Sequence, residues 1–215
     1  MASRSNDGGS TGSCCCDGFC KFCGFLFTVG LVVLFYWAIF QPHHIHATVN
    51  SATLSNLTVS SNASSSSAAA VSYTLGVTLS LYNPSLRVDI YYDTIAAELR
   101  FGGAVLAPAA NDTSPPEFHQ RRKSGDDVKL AFDYAGRPGV AVGSDVAGEL
   151  EKAAKSGGPV SMELQVDLRV RYRLRIFKLR QKPSIWCSLS IPVKAAGMGV
   201  GGALASGDRC RVKYR

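Results

Sequence analysis

The sequence is poor in the residues that most often carry catalysis. Charged residues make up only 18% of its 215 residues, and there are four histidines. Three of them, His43, His44 and His46, crowd a segment without regular pattern, so a solvated linker explains them better than a metal site. His119 stands alone, and the chain has no phosphate-binding loop of the Gly-x-x-x-x-Gly-Lys type. We therefore expect no catalytic residue, metal or cofactor, and an enzyme is the least favoured class.

Cysteine is nearly absent from the long C-terminal part of the chain. Most of the seven cysteines crowd the N-terminus, at Cys14, Cys15, Cys16, Cys20 and Cys23. Thiols beside an apolar stretch suit reversible palmitoylation, which we predict at Cys14, Cys15, Cys16 and Cys20. Unmodified thiols are the alternative. A zinc site at Cys20-x-x-Cys23 is a third reading, although no second ligand pair lies at a suitable distance.

One long hydrophobic run interrupts this mixed sequence. Residues Phe22–Phe40 carry no charge, and a helix of this length would span about 28 Å, close to the apolar core of a bilayer. Tyr36 and Trp37 lie near its end, where interfacial aromatic residues belong, and Pro42 would end the helix. The pattern predicts a single transmembrane helix after a disordered head over residues 1–21. A cleaved signal peptide and a helix buried in a soluble core are the alternatives.

The sequence also predicts which side of the membrane holds the rest of the chain. Arg4 and Lys21 precede the hydrophobic run, whereas no Lys or Arg follows it before Arg87, and this bias places the N-terminus in the cytosol. N-glycosylation sequons follow the run at Asn56, Asn62 and Asn111. We therefore predict a single-pass, type II plasma-membrane glycoprotein whose C-terminal part lies outside the cytosol.

From residue 71 onward, apolar residues recur at every second position, which indicates half-buried β-strands. The clearest case runs from Val160 to Ile176, where every even position is apolar. A change of phase predicts a bulge near Asp93, and Ser144-Asp145 could cap one short helix. About seven strands and this helix predict a mainly β fold, an antiparallel β-sandwich over residues 71–215. A juxtamembrane segment and a weaker first strand within Thr48–Val59 occupy residues 41–70.

Cys187 and Cys210 both fall on the apolar phase of their predicted strands. The Gly-rich connection Ala195–Gly207 would let the two strands pair as a hairpin. An oxidising compartment would permit a bridge between them, which we predict, with two buried free thiols as the alternative. A bridge that closes about 23 residues would stabilise the fold by roughly 3 kcal/mol on the chain-entropy model.

All of the net charge of +7 follows residue 40. Alternate residues of one predicted strand form a basic face: Arg169, Arg171, Arg173 and Arg175. Lys178, Arg180 and Lys182 continue it, and Arg209, Arg211, Lys213 and Arg215 would extend it if the strands were neighbours. Such a face could bind an anionic partner, and acidic wall polymer or anionic lipid suits the predicted compartment better than nucleic acid, which we do not expect as a partner. The alternative is a solvated face that keeps the domain soluble and its strand edges unpaired.

Two segments of this chain resemble a known family. Asn83-Pro-Ser-Leu-Arg-Val-Asp-Ile-Tyr-Tyr-Asp93 is similar to the Asn-Pro-Asn…Ile-Tyr-Tyr-Asp signature of plant NHL proteins (harpin-induced-like, non-race-specific disease resistance-like), with Ser85 where Asn is usual. Phe118–Lys123 resembles a segment that often reads Phe-Tyr-Gln-Gly, with Arg121 in place of Gly. The Cys-bearing head, the anchor and the terminal Cys pair follow the same order. The matched motif residues are Asn83, Pro84, Ile90, Tyr91, Tyr92 and Asp93.

The resemblance implies a fold, a location and a role. The family's domain is the late embryogenesis abundant group 2 domain, a β-sandwich like fibronectin type III with one helix. The resemblance also implies a part in plant defence and stress responses, mostly at the plasma membrane, without established catalytic activity. We therefore expect interaction with membrane or defence proteins, wall polymer or lipid. A lipid-handling sandwich with an apolar interior is the alternative from a different class.

Overall fold

The computed structural model describes residues 14–40, 45–61, 68–107, 118–135, 139–173, 178–196, 199–207 and 209–214. The chain divides into two compact units, Met1–Pro42 and His43–Arg215. The first unit contains the helix α1, and the second contains all of the described β-strands. Each unit is therefore described by itself.

Helix α1 comprises Cys14–Phe40. It begins earlier than predicted, because Cys14–Lys21, expected to belong to a disordered head, is helical. No proline occurs before Pro42, so nothing in this stretch breaks a helix that continues from the apolar run. The side chains of α1 are described from Lys21 to Trp37. Within the described part of the chain, no helix is both long enough and apolar enough to cross a membrane.

The second unit contains twelve described strands and one helix. In chain order they are β1 (His46–Ser61), β2 (Ala68–Tyr82), β3 (Asp89–Phe101), β4 (Ala104–Ala107), β5 (Phe118–Gln120), β6 (Gly125–Asp133), β7 (Val140–Gly143), α2 (Ser144–Lys155), β8 (Pro159–Arg173), β9 (Lys178–Gln181), β10 (Pro183–Ala196), β11 (Gly199–Leu204) and β12 (Arg211–Tyr214). With two helices in the described chain, the fold is mainly antiparallel β, as the alternation predicted.

The strands form two sheets that share β10. One sheet has the order β11–β1–β2–β6, with β7 also beside β2. The other has the order β4–β3–β8–β10, with β5 beside β3, β9 beside β8 and β12 beside β10. Residues 184–192 of β10 pair with β8, and residues 193–196 pair with β11. β10 therefore joins the two layers of the sandwich.

The described strands outnumber the predicted ones because several are too short to show alternation. β4, β7 and β9 have four residues each, and β5 has three. The prediction underestimated β1. The segment predicted as a weaker strand within Thr48–Val59 is 16 residues long and lies between β2 and β11. Its register with β2 shifts between Val49 and Ser51 and between Ser55 and Thr58, which interrupts the period of two.

The core lies between the two sheets and follows the predicted alternation. Even-numbered residues of β8 from Val160 to Tyr172 are buried. Helix α2 adds Ala147 and Leu150 to the core. Gly143 occupies the N-cap position of α2, and no side chain caps the helix. The predicted capping by the Ser144-Asp145 pair is therefore wrong, because Ser144 is already the first residue of the helix. The predicted bulge is confirmed, since the β3–β8 register shifts between Tyr92 and Thr94.

Candidate functional site

One end of the sandwich collects the residues of the family signature and the described residues of the basic face. β1 begins there, opposite the end of β2, and β8 ends there, opposite the start of β3. β12 also ends there, because the backbone N–H of Ile45 donates to the hydroxyl of Tyr214 at 2.8 Å. We call residues 45–50, 82–93, 118–127, 169–173, 178–184 and 213–214 the proximal end. The other end, with α2 and the start of β8, is the distal end.

Asn83 is the polar centre of the proximal end. Its side chain is fully buried, with 0% exposure. The Nδ2 group donates to the carbonyl of Val88 at 3.0 Å and to that of Arg121 at 3.2 Å, while Oδ1 accepts from the N–H of Ser85 at 3.0 Å. One amide side chain thus joins the β2–β3 connection to the β5–β6 connection. The cost of burying this amide is offset because it is hydrogen-bonded on both sides.

Ser85 replaces the asparagine usual in the family signature and supports the same loop. Its hydroxyl oxygen accepts from the N–H of Val88 at 3.1 Å and from that of Arg87 at 3.3 Å. Its carbonyl accepts from the N–H of Lys123 at 3.1 Å. A short side chain that bonds to backbone two or three residues onward is a common turn-forming arrangement, so the substitution preserves the loop.

Gln120 is a second buried amide of the proximal end, and the sequence pattern missed it as an individual residue. It is fully buried, and its Oε1 accepts from the hydroxyl of Tyr92 at 2.8 Å. Its Nε2 donates to the carbonyl of Leu81 at 2.7 Å and to that of Ser124 at 3.2 Å. The sequence signal for Gln120 was its position in the Phe118–Lys123 segment, which resembles the Phe-Tyr-Gln-Gly segment of the family. Arg121, which replaces the usual glycine, is not among the described residues with positive φ, so the loop does not need glycine there.

The Tyr-Tyr-Asp part of the signature divides between core and surface. Tyr92 points inward, and burial chiefly, with Tyr214 and Asp126 nearby, raises its pKa far above the usual value. The ring of Tyr91 stacks on that of His119, with centroids 4.4 Å apart. The Nε of Arg171 donates to Asp93 at 2.6 Å. The motif therefore fixes the loops of the proximal end, and it brings no nucleophile to a base.

The predicted basic face is present on the outer side of β8. The described members are Arg169, Arg171 and Arg173, and Arg175 lies outside the described residues. Asp93 partners Arg171, with both side chains about one-third exposed. β9 brings further positive charge, because Arg180 lies opposite Arg171 and Lys178 lies opposite Arg173. The face is thus broader than one strand.

A shallow cleft of about 430 Å³ lies beside this face, between β3, β8 and the start of β10. Arg169 and Lys182 line it together with Asp167. Asp167 accepts from the hydroxyl of Ser184 at 2.6 Å and from Nε2 of Gln165 at 3.1 Å, so neighbouring side chains hold this carboxylate. The lining residues include neither His nor Cys. The cleft can hold a small polar group, and its charged lining does not favour a lipid chain.

The predicted disulfide is present: the Sγ atoms of Cys187 and Cys210 are bonded at 2.03 Å. The two strands pair, but not as the simple hairpin that was predicted, because the Gly-rich connection itself contains β11 in the other sheet. The N–H of Cys210 donates to the carbonyl of Ala47 at 2.9 Å. The bridge therefore ties the C-terminal segment to β10, and the hydrogen bond of Cys210 ties it to the beginning of β1.

The predicted modification sites are only partly described. Asn56 is exposed on β1 with φ of 55°, at the position where the register shifts against both neighbouring strands. Asn62 and Asn111 lie outside the described residues. Cys14, Cys15, Cys16 and Cys20 lie on α1, and their side chains are outside the described part. Palmitoylation and glycosylation stay predictions.

The described residues form neither a metal site nor a phosphate site at a helix N-terminus. In that part of the chain no three His, Cys, Asp or Glu side chains are grouped to hold a metal ion. His46 stacks on Tyr82 with centroids 6.4 Å apart, while His43 and His44 lie outside the described residues. The sequence of Gly197–Gly202 matches Gly-x-Gly-x-x-Gly, but Gly199–Leu204 is a strand, so no helix N-terminus follows to receive a phosphate.

Comparison with known proteins agrees with this architecture. The family model of late embryogenesis abundant proteins, LEA_2, matches residues 78–195, more than half of the chain. NDR1/HIN1-like protein 10 of Arabidopsis thaliana is 26% identical over 196 residues, which cover 90% of this chain and 81% of the relative. NDR1/HIN1-like protein 3 of the same plant is 24% identical over 166 residues, 77% of this chain and 67% of the relative.

Among solved structures, the crystal structure of a protein from Archaeoglobus fulgidus covers 66% of this chain and 99% of its own, with a TM-score of 0.31 and 10% identity. That likeness is too low to support an argument. The family match spans the end of β2, the signature, α2, the whole of β8 and nearly all of β10. The chain belongs to the late embryogenesis abundant protein family and is similar to the NDR1/HIN1-like proteins.

Proposed function

We propose that this chain is a single-pass plasma-membrane protein that takes part in plant defence or stress responses by binding. In this proposal α1 is the anchor, and the β domain lies outside the cytosol. The main support for the proposal is that this chain, a member of the family, divides into an apolar helix and a separate disulfide-bonded β domain. The similarity to NDR1/HIN1-like proteins supports the role in defence or stress.

The described residues of α1 do not by themselves reach the length and hydropathy of a membrane span, and the anchor is supported instead by the exposed side chains of the helix. Phe25, Phe27 and Phe35 are 65%, 70% and 65% exposed, respectively, and Leu34 and Val32 exceed 60% as well. Leaving so much apolar surface in water is costly, whereas a hydrocarbon environment would cover it. The helix carries no charged residue between Lys21 and its last residue, Phe40.

The β domain supports an oxidising location. Disulfides persist outside the cytosol, and the Cys187–Cys210 bridge is buried within this domain. Asn56 is exposed within its sequon, so a glycosyltransferase could reach it. Palmitoylation of Cys14, Cys15, Cys16 and Cys20 remains part of the proposal, because it would add a second attachment at the cytosolic end of the anchor.

Membrane extraction tests the anchor. The full chain in plant cells should remain in the membrane fraction after alkaline carbonate treatment. Replacing Val29 and Val33 with lysine should release it, because each lysine near the centre of a membrane helix costs about 3 kcal/mol of insertion. Replacing the same two residues with leucine is the matched control and should leave the chain in the membrane. Release of the unmodified chain by carbonate would contradict the anchor.

Complementation tests the role in defence. Plants that lack the protein should resist pathogen challenge less well, and the full chain should restore resistance. A chain without residues 22–40 should fail to restore it, provided that the β domain accumulates to the same level. Equal resistance with and without the protein, under both pathogen and abiotic stress, would overturn the proposed role.

A further inference from the structure

A row of side chains crosses the outer face of β8 at Asp167. Residues directly opposite one another on paired strands point to the same face of a sheet. Ser184 of β10 lies opposite Asp167, and Lys213 of β12 lies opposite Ser184. Asp167 is exposed, and it lines the shallow cleft together with Arg169 and Lys182. The cleft and Lys213 therefore belong to one continuous surface.

Trp186 lies on the same surface, one row closer to the distal end. It lies opposite Gln165 of β8, and Arg211 of β12 lies opposite it. Its ring is partly exposed, and the guanidinium carbon of Arg100 lies 5.6 Å from the ring centroid. Successive rows on one face of a sheet are about 7 Å apart, so this aromatic ring adjoins the cleft.

Four basic side chains of this surface lack an acidic partner. All four are exposed, and none forms an ion pair with a described residue: Arg169, Lys182, Arg211 and Lys213. Arg171 differs from them, because it bonds to Asp93. The hydrogen bonds of Asp167 come from neutral donors, the hydroxyl of Ser184 and the amide of Gln165. Four cations around one carboxylate leave a net positive charge, which favours an anionic ligand.

The carboxylate of Asp167 restricts the kind of anion. It would repel a phosphate-rich ligand, which carries high negative charge and mainly accepts hydrogen bonds. A sugar acid offers a carboxylate to the cations and also hydroxyls that can donate to Asp167. The C–H face of a sugar ring is apolar, which suits contact with the ring of Trp186. An acidic sugar therefore matches the cations, the acceptor and the aromatic ring together.

The position of this surface on the sheet disfavours a peptide or a lipid. The backbones of β3 and β10 are already paired with β8 on its two sides. An extended peptide on this face would leave its own N–H and C=O groups without backbone partners. Among the described residues, none of the exposed large hydrophobic side chains lines the cleft, so the cleft offers no apolar contact to an acyl chain.

We propose that this surface, centred on Asp167, binds a polyuronate, an acidic polysaccharide built of linked uronic acids. Arg169, Lys182 and Lys213 contact its carboxylates. Asp167 accepts from its hydroxyls, and Trp186 stacks on one sugar ring. The proposal deepens the proposed function by naming a partner, and it rests on that function because acidic wall polymer is available only to a β domain outside the cytosol.

Titration of the purified full chain, in micelles of a neutral detergent, with trigalacturonate tests this site. Trp37 and Trp186 are the two tryptophans of the chain, so Trp37→Phe leaves Trp186 as the single one. Its fluorescence emission should shift as trigalacturonate binds, and calorimetry on the unmodified chain should give the affinity. The methyl ester of trigalacturonate, which lacks the charge, and tripolyphosphate, which lacks the sugar hydroxyls, should each bind at least about tenfold more weakly.

Substitutions test the position of the site. Arg169→Gln together with Lys182→Gln should weaken trigalacturonate binding by about 100-fold, since two charge-assisted contacts are lost. The matched control, Arg173→Gln with Lys178→Gln, removes the same charge from the same face and should weaken binding by less than about threefold at physiological salt. Asp167→Ala should weaken trigalacturonate binding but strengthen tripolyphosphate binding, because the carboxylate that repels phosphate is gone.

The outcomes separate this site from the anchor. No affinity for trigalacturonate would overturn the site and leave the anchor, which carbonate extraction tests independently. Equal weakening by both pairs of substitutions, or equal affinity for trigalacturonate and tripolyphosphate, would show attraction by charge alone and would overturn the site too. An unchanged emission of Trp186 at saturation would overturn the stacking on which the choice of a sugar depends. Selective binding by a chain that carbonate releases would support the site although the anchor had failed.

Discussion

Replacing Cys187 and Cys210 together with alanine is expected to lower the free energy of unfolding of the β domain by about 3 kcal/mol. The bridge has a sequence separation of 23 residues, and its loss restores the conformational freedom of that loop in the unfolded chain. β12 is only four residues long, so the bridge supplies much of what holds it to β10. Urea denaturation of the purified full chain measures the change as a lower midpoint.

The control for this experiment is Cys23, which is a free and exposed thiol on α1. Its replacement with alanine should leave the unfolding midpoint of the β domain unchanged. Adding reductant to the unmodified chain should lower the midpoint as far as the double replacement does. A double variant as stable as the unmodified chain would show that packing alone holds the C-terminal strand.

Replacing Asn83 with alanine should cost the β domain about 3 kcal/mol, because an unpaired buried polar group costs about 1–3 kcal/mol. The change removes three hydrogen bonds and leaves the N–H of Ser85 and the carbonyls of Val88 and Arg121 without their side-chain partner. Loss of that partner also frees the two connections from each other. Urea denaturation reports the stability, and hydrogen exchange reports loosening of residues 85–88 and 121–124.

Two further variants test whether the buried amide is responsible. Asn83→Asp keeps the size and one acceptor but removes both donors, so it should destabilise at least as much as alanine does. Asn50 bonds to Asp127 at 3.1 Å through an exposed side chain, and Asn50→Ala should change stability by less than about 1 kcal/mol. Near-normal stability of Asn83→Asp would contradict the role assigned to the donors of Asn83.

Strand alternation made much of the β domain predictable from the sequence. β8 shows why: one face is buried and the other is solvated, so its side chains alternate over its whole length. β1 was underestimated because two register shifts interrupt its period, and short strands such as β5 carry too few residues for any period. The N-terminal limit of α1 was wrong because the prediction ended the helix at the limit of the uncharged run, whereas the helix continues through Cys14–Lys21.

The proximal end was predictable only in part. The signature pointed to Asn83, Tyr92 and Asp93, but a residue string does not show that Asn83 joins two connections or that Gln120 is the partner of Tyr92. Those contacts join residues far apart in sequence, and only the register of the strands brings them together. The basic face and its continuation through Lys178 and Arg180 were predicted from the sequence, but the positions of these residues opposite Arg173 and Arg171 depend on cross-strand pairing.

The central claim is that α1 anchors the chain and that the β domain lies outside the cytosol. A glycosidase mobility shift on the full chain from plant cells tests it most directly, with Asn56, Asn62 and Asn111 each changed to glutamine and protease protection measured on the same membranes. The account predicts a glycosidase-sensitive shift that becomes smaller as each of these asparagines is changed, and a β domain protected inside sealed microsomes. A chain without glycan, whose β domain is digested from the cytosolic side, would contradict it.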